Sequence, residues 1–142
     1  MLLSLACCVA LLVCVSGCEV RPKTSGDEAV SPPVACVLDS VLDYGTVGAG
    51  LTVEKTVVVR NTGGQELWVG VEPLSCDCLS VNPMELRVAS GEAGRLRVAF
   101  SASGAEGDEL KFVRLATNGV RKRIDVWVLA HVESDVQFEL HQ

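Results

Sequence analysis

Cysteine is the residue type in this chain best suited to chemistry, and its seven copies fall into two sets. Cys7, Cys8, Cys14 and Cys18 lie in or just after an apolar N-terminal run, whereas Cys36, Cys76 and Cys78 lie in the body of the sequence. Cys76 and Cys78 flank Asp77. In extended backbone, residues two apart stand roughly 6.5–7 Å between Cα atoms, near the upper limit for a disulfide, and a turn brings them closer. The pair therefore has three readings: a bridged loop staple, a dithiol that is oxidised and reduced, or two thiolates that chelate soft Cu(I). Zinc would need two further ligands. The candidates are Cys36, expected at the opposite pole of the fold, and His131, expected on a solvent-side position. No joint metal site and no cofactor are therefore expected. His141 falls in a C-terminal tail. Haem attachment is excluded, because no Cys-x-x-Cys-His occurs.

Other constellations dissolve on inspection. Gly45-Thr46-Val47-Gly48-Ala49-Gly50 has the look of a phosphate loop, but that loop needs a helix after it whose N-terminus meets the phosphate. A strand pattern follows here, so the stretch reads as a flexible β-turn and no nucleotide is expected. Serines are plentiful, yet there is no Gly-x-Ser-x-Gly and neither histidine is placed as a base for one. No catalytic residue is assigned. The formal net charge is -6, and no Lys, Arg, Asp or Glu precedes Glu19. A nucleic-acid partner demands a basic face, and anionic lipid demands the same, so both are excluded as electrostatic partners. Arg121-Lys122-Arg123 is a short basic cluster read as a solvated hairpin tip.

Cys18 stands apart from the other cysteines. The apolar run before it is too short to cross a bilayer, which takes roughly 20 apolar residues, but suits the apolar core of a secretory signal. Val15-Ser16-Gly17-Cys18 resembles the lipobox of bacterial lipoproteins, in which the cysteine thiol receives a diacylglycerol. No Lys or Arg precedes the run, a departure from the usual signal. The expectation is a signal peptide over residues 1–17 and a lipidated Cys18, since two or more acyl chains anchor where one binds marginally. Glu19 stands where an Asp would retain a lipoprotein at the inner membrane. A cell-envelope location is expected, with the outer membrane favoured.

The elements that position these residues follow from periodicity. Residues 19–33 are polar, hold three of the five prolines and show no apolar period, so residues 18–33 read as a lipidated cysteine with a disordered tether. From Val34 the apolar residues recur every second position, the mark of half-buried strands. Alternation is clear over residues 57–60, 67–71, 96–100, 113–115 and 124–132, with weaker signals over 35–39, 41–47 and 84–88. Asn118-Gly119 reads as a two-residue hairpin turn. Seven or eight short strands with turns at this spacing predict an all-β, immunoglobulin-like sandwich over residues 34–133, followed by a tail over 134–142. Trp68 and Trp127 fall out of phase with their core neighbours. They mark either a binding face, where tryptophan is enriched in hot spots, or rings covered by a loop or the tail.

The order of these signals resembles the bacterial family called domain of unknown function 1573. Its pattern is seen in Asp43-Tyr44-Gly45-Thr46-Val47, in Val57-Val58-Val59-Arg60-Asn61-Thr62-Gly63 with Leu67, in Ser75-Cys76-Asp77-Cys78, in Ser90-Gly91-Glu92 and in Ala116-Thr117-Asn118. The family usually has Phe at Tyr44 and Gly at Asp77. The resemblance implies an immunoglobulin-type sandwich, often secreted or lipidated, and no established activity. Taken together, the sequence predicts a non-catalytic, lipid-anchored envelope protein that binds an unidentified envelope protein or serves as a structural module. The alternative is a thiol-redox or copper-handling role for Cys76 and Cys78.

Overall fold

The computed structural model describes residues 30–134. The expected signal peptide, Cys18, most of the tether and the tail beyond Ser134 lie outside the described residues. Among the described residues nine strands run in the order β1 (Ala35–Val37), β2 (Val41–Gly48), β3 (Thr52–Asn61), β4 (Leu67–Val71), β5 (Leu79–Asn82), β6 (Glu85–Val88), β7 (Ala93–Ser101), β8 (Gly107–Thr117) and β9 (Arg123–Glu133). They form two sheets, β1-β3-β7-β5 and β2-β9-β8-β4-β6. The core lies between the sheets, built from alternate residues such as Val57, Val59, Leu96, Val98 and Phe100 on one side and Leu67, Val69, Val113, Leu115, Val126 and Val128 on the other. The fold is an all-β immunoglobulin-like sandwich.

The N-terminal strands link the two sheets. After β1 pairs antiparallel with β3, the chain crosses to the other sheet, where β2 runs parallel to β9. A bulge between Asp43 and Thr46 breaks that pairing. There Tyr44 turns inward, its hydroxyl donating to the carbonyl of Val98 and its ring 6.2 Å from Phe100, which pins one sheet to the other. Burial lifts the Tyr44 phenol to a pKa of about 12, so it stays a neutral donor.

Several expectations are revised. β5 is a ninth strand that periodicity did not reveal, because it is four residues long and half polar. The Gly45–Gly50 stretch is mostly strand: β2 continues through Gly48, and the turn is confined to Ala49 and Gly50. At Asn118 and Gly119 neither residue takes positive φ. The β8–β9 connection is a longer loop in which Thr117 N–H donates to Lys122 O at 2.9 Å, and Asn118 reaches across to β4. Finally, the last residues of the expected tether lie against the domain. Ser31 O accepts from Gly64 N–H at 3.2 Å, and Pro33 O accepts from Val120 N–H at 3.1 Å. Only glycine fits beneath them: a Cβ on Gly63 would stand 2.1 Å from Pro32 O, and one on Gly119 would stand 2.7 Å from Pro33 O.

Asn61, the last residue of β3, is a fully buried hub. Its amide donates to Gln65 O at 2.7 Å and Val88 O at 3.0 Å, and its Oδ1 accepts from Gly63 N–H at 3.0 Å and Val34 N–H at 3.3 Å. Both amide hydrogens and both oxygen lone pairs are thereby used, which is why a polar side chain survives in an apolar core.

Candidate functional site

The outer face of the five-stranded sheet departs from what alternation usually leaves facing water. Outward positions on the antiparallel β8–β9 ladder form four rungs: Asp108 with His131, Leu110 with Leu129, Phe112 with Trp127, and Arg114 with Asp125. The two end rungs are polar pairs, His131 Nδ1 to Asp108 Oδ1 at 2.7 Å and a bidentate Arg114–Asp125 ion pair at 2.7 and 2.9 Å. The two middle rungs are apolar. β2 widens the field, since Val41 lies beside Trp127 and Asp43 beside Leu129.

The middle residues are large and open to solvent: Leu110 is 61% exposed, Val41 54%, Trp127 40% and Leu129 36%. Phe112 is half-buried, its ring 5.6 Å from Trp127 and 5.1 Å from the Arg114 guanidinium. The cross-strand ring contact and the guanidinium over Phe112 favour this arrangement of the two rings. These five side chains open on the order of 300 Å² of apolar surface, the size at which a patch on a monomer is often functional.

The charge around the patch is uneven. At one end, Asp43, Asp108 and Glu133 are all exposed on outward positions. At the other end, Arg114 is matched by Asp125, and the Arg114 hydrogen bonds hold the Asp125 carboxyl below its ordinary range. Arg123 pairs with Glu72 nearby.

Of the two tryptophans singled out from sequence, only Trp127 belongs to this field. Trp68 is on the outward side of β4 but folds over Gly70, where a Cβ would stand 2.6 Å from its ring, and is half-buried. The Arg114–Asp125 pair lies between the two rings along the sheet. Sequence reasoning missed Val41, Leu110, Phe112 and Leu129. For Leu129 the signal was its place two residues from Trp127 in β9, and for Leu110 and Phe112 it was their place out of phase with Val113 and Leu115 in β8.

Sheet edges offer a less inviting surface. β1, β5 and β6 are three or four residues long, β2 carries the bulge, and the open half of β3 carries exposed Glu54 and Lys55. Short, bulged and charged edges are the usual means of blocking strand addition.

The second candidate site is the loop before β5. Cys76 and Cys78 are joined by a disulfide, with Cα atoms 5.2 Å apart, and both are half-buried against the core margin. The loop is also held by backbone bonds: Ser101 N–H donates to Cys78 O at 2.8 Å, and Leu79 N–H to Cys76 O at 3.4 Å. Cys78 N–H donates to Cys76 Sγ at 2.9 Å. Closing so short a loop constrains the unfolded chain little, about 1.6 kcal/mol by chain entropy against about 4.7 kcal/mol for a 100-residue loop. In the bridged form neither sulfur is a thiolate available to a soft cation. Cys36, buried on β1, lies opposite Arg60, at the Ala93 end of β7, while Cys78 sits at the Ser101 end. Eight residues of strand separate these ends, about 27 Å. His131, on the outer face, pairs with Asp108. No group of three or more His, Cys, Asp or Glu among the described residues is arranged to hold a metal ion.

Solved structures with this architecture define the class first. The chain superposes on the ASH/PapD-like domain 7 of human CEP192 with a TM-score of 0.62, at 10% identity, covering 84% of this chain and 96% of that one. A protein of unknown function from Porphyromonas gingivalis W83 gives a TM-score of 0.59 at 20% identity, over 73% of this chain and 49% of that one. The CupB2 chaperone of Pseudomonas aeruginosa gives 0.50 at 18% identity, over 68% and 55%. This chain thus spans about half of the last two, and at these identities the likeness establishes the sandwich fold. Within that class, residues 37–132 match the family described as protein of unknown function (DUF1573), and the chain belongs to it. No curated protein sequence matches the chain.

Proposed function

We propose that this protein is a non-catalytic, lipid-anchored envelope module that binds another envelope protein through the outer face of its five-stranded sheet. The observation that carries the reading is the two apolar rungs, Leu110–Leu129 and Phe112–Trp127, left open between two polar rungs. Apolar aromatic anchors ringed by polar groups are the usual anatomy of a protein-binding patch. The exposed acids at Asp43, Asp108 and Glu133 specify the partner's chemistry: an apolar ridge with lysine or arginine at one end. The blocked edges favour packing against the face over addition of a strand. Anchoring through Cys18 is supported by the Val15-Ser16-Gly17-Cys18 motif after an apolar run. An envelope location, with the outer membrane favoured, follows from the same motif and Glu19.

The test places a photoreactive phenylalanine at position 110 or, as a control on the opposite sheet, at position 97, in the protein's own envelope. A discrete heteromeric adduct from position 110 is expected, abolished by Phe112→Asp and weakened by salt. An equal adduct from position 97, no adduct at all, or an adduct of twice the chain's own mass would overturn the reading. Separately, Cys18→Ala should move the protein from the membrane to the soluble fraction; continued sedimentation with membranes would remove the anchor from the proposal.

A further inference from the structure

The Cys76–Cys78 loop carries an inference independent of the docking face. We propose that this bridge is a reversible dithiol–disulfide couple, with Cys78 Sγ the sulfur attacked and Cys76 the thiolate released.

Three observations converge on it. First, the bridge spans one intervening residue, so it contributes little chain-entropy stabilisation, and the loop is already fixed by Ser101 N–H to Cys78 O and Leu79 N–H to Cys76 O. Opening the bridge therefore leaves the fold standing. Second, both cysteines are only partly buried, packed at the core margin at one pole of the sandwich. Third, the sulfurs are not equivalent, because Cys78 N–H points at Cys76 Sγ at 2.9 Å. A backbone donor stabilises the charged form of its acceptor. Exchange is faster when the departing sulfur is the more stable thiolate. Cys76 is thus the better leaving group.

The co-reactant is a protein dithiol or a small thiol. Its thiolate attacks Cys78 Sγ, a new S–S bond forms to Cys78, the Cys76–Cys78 bond breaks, and Cys76 leaves as a thiolate that then takes up a proton. A second substrate thiolate attacks the substrate's own sulfur in the mixed disulfide and frees Cys78. Two electrons pass to the loop, and the substrate becomes a disulfide. The exposed carboxylate of Asp77 repels anionic thiols, which favours a neutral or basic partner.

Both cysteines fall in one tryptic peptide, residues 61–87, which contains no other cysteine. The full-length protein, extracted in mild detergent, is equilibrated with glutathione mixtures from fully oxidised to fully reduced, quenched in acid, alkylated and digested. The expected result is a reversible two-electron transition of peptide 61–87 while circular dichroism still shows the folded sandwich. Brief exposure to reduced glutathione should place the mixed disulfide on Cys78 with roughly fivefold preference over Cys76. In the single variants, Cys76 in Cys78→Ser should be alkylated near neutral pH roughly fivefold faster than Cys78 in Cys76→Ser. That gain in thiolate fraction is partly offset by the lower nucleophilicity of a less basic sulfur. A peptide that stays bridged in every mixture, or opens only on unfolding, overturns the couple. Glutathione found equally on both sulfurs, or mainly on Cys76, overturns the assignment of roles.

Discussion

The two sheets of the sandwich bury their inner faces alike and present opposite outer ones. On the four-stranded sheet the outward positions of β3 and β7 include Glu54, Thr56, Arg60, Arg95 and Arg97, with Glu54 and Arg97 3.9 Å apart. On the five-stranded sheet the equivalent positions of β8 and β9 hold two consecutive apolar rungs. Both sheets are antiparallel across these strands, and both need only one apolar face to fold. Alternation alone explains the first face and fails to explain the second. A one-sided demand for burial leaves the other side free to be polar, so five large apolar side chains there call for a reason outside the fold.

That contrast can be tested by substitution, beginning in the core that both sheets share. Phe100→Ala should lower unfolding free energy by about 3–5 kcal/mol in urea titration. Asn61→Leu should follow at about 3 kcal/mol, since it orphans the N–H groups of Gly63 and Val34 and two carbonyls while filling the same space. Trp127→Asp should change stability by about 1 kcal/mol or less yet abolish the crosslinked adduct, a separation no core variant can show. If Trp127→Asp unfolds the domain, the face is structural and the contrast between sheets collapses.

Acid titration sharpens the comparison further. Asp125 is held below its ordinary range by Arg114, so its contribution is present above the unfolded-state value near pH 4 and is lost as pH falls through the lower folded value. Wild-type protein should therefore lose stability below about pH 4 relative to Asp125→Asn, measured by thermal melts at stepped pH. The smallest effect belongs to the polar face: Arg97→Ala should shift stability by less than about 0.5 kcal/mol, as an exposed pair at 3.9 Å has little to lose.

Most of the fold was legible because period-two burial is a local signal. Val57 and Val59, Leu67 and Val69, and Val126 and Val128 announced their strands and their inner faces. β5 was not legible, since Leu79 and Val81 alone cannot outweigh a short segment bounded by Cys78 and Pro83. The apolar field was half legible: Trp127 stood out of phase, but besides Leu129 its neighbours come from β2 and β8, and only the register of three strands assembles them. Trp68 shared the same sequence signature and lies elsewhere, folded over Gly70. The role of Asn61 was not legible, because its four partners are spread along the chain from Val34 to Val88 and only the fold brings them together. For Cys76 and Cys78, spacing allowed a bridge without requiring one, because residues two apart sit at the edge of disulfide reach until the backbone bends.

The docking of residues 31–33 onto Gly63, Gly64 and Gly119 sets a direction for the whole molecule. The chain leaves its N-terminal segment at the pole that carries the Arg121-Lys122-Arg123 tip, and the cysteine loop sits at the other, one strand-length or about 27 Å away. A force or a tether applied through the N-terminus would therefore stand the sandwich upright, apolar flank turned sideways toward neighbours and sulfurs aimed away from the point of attachment.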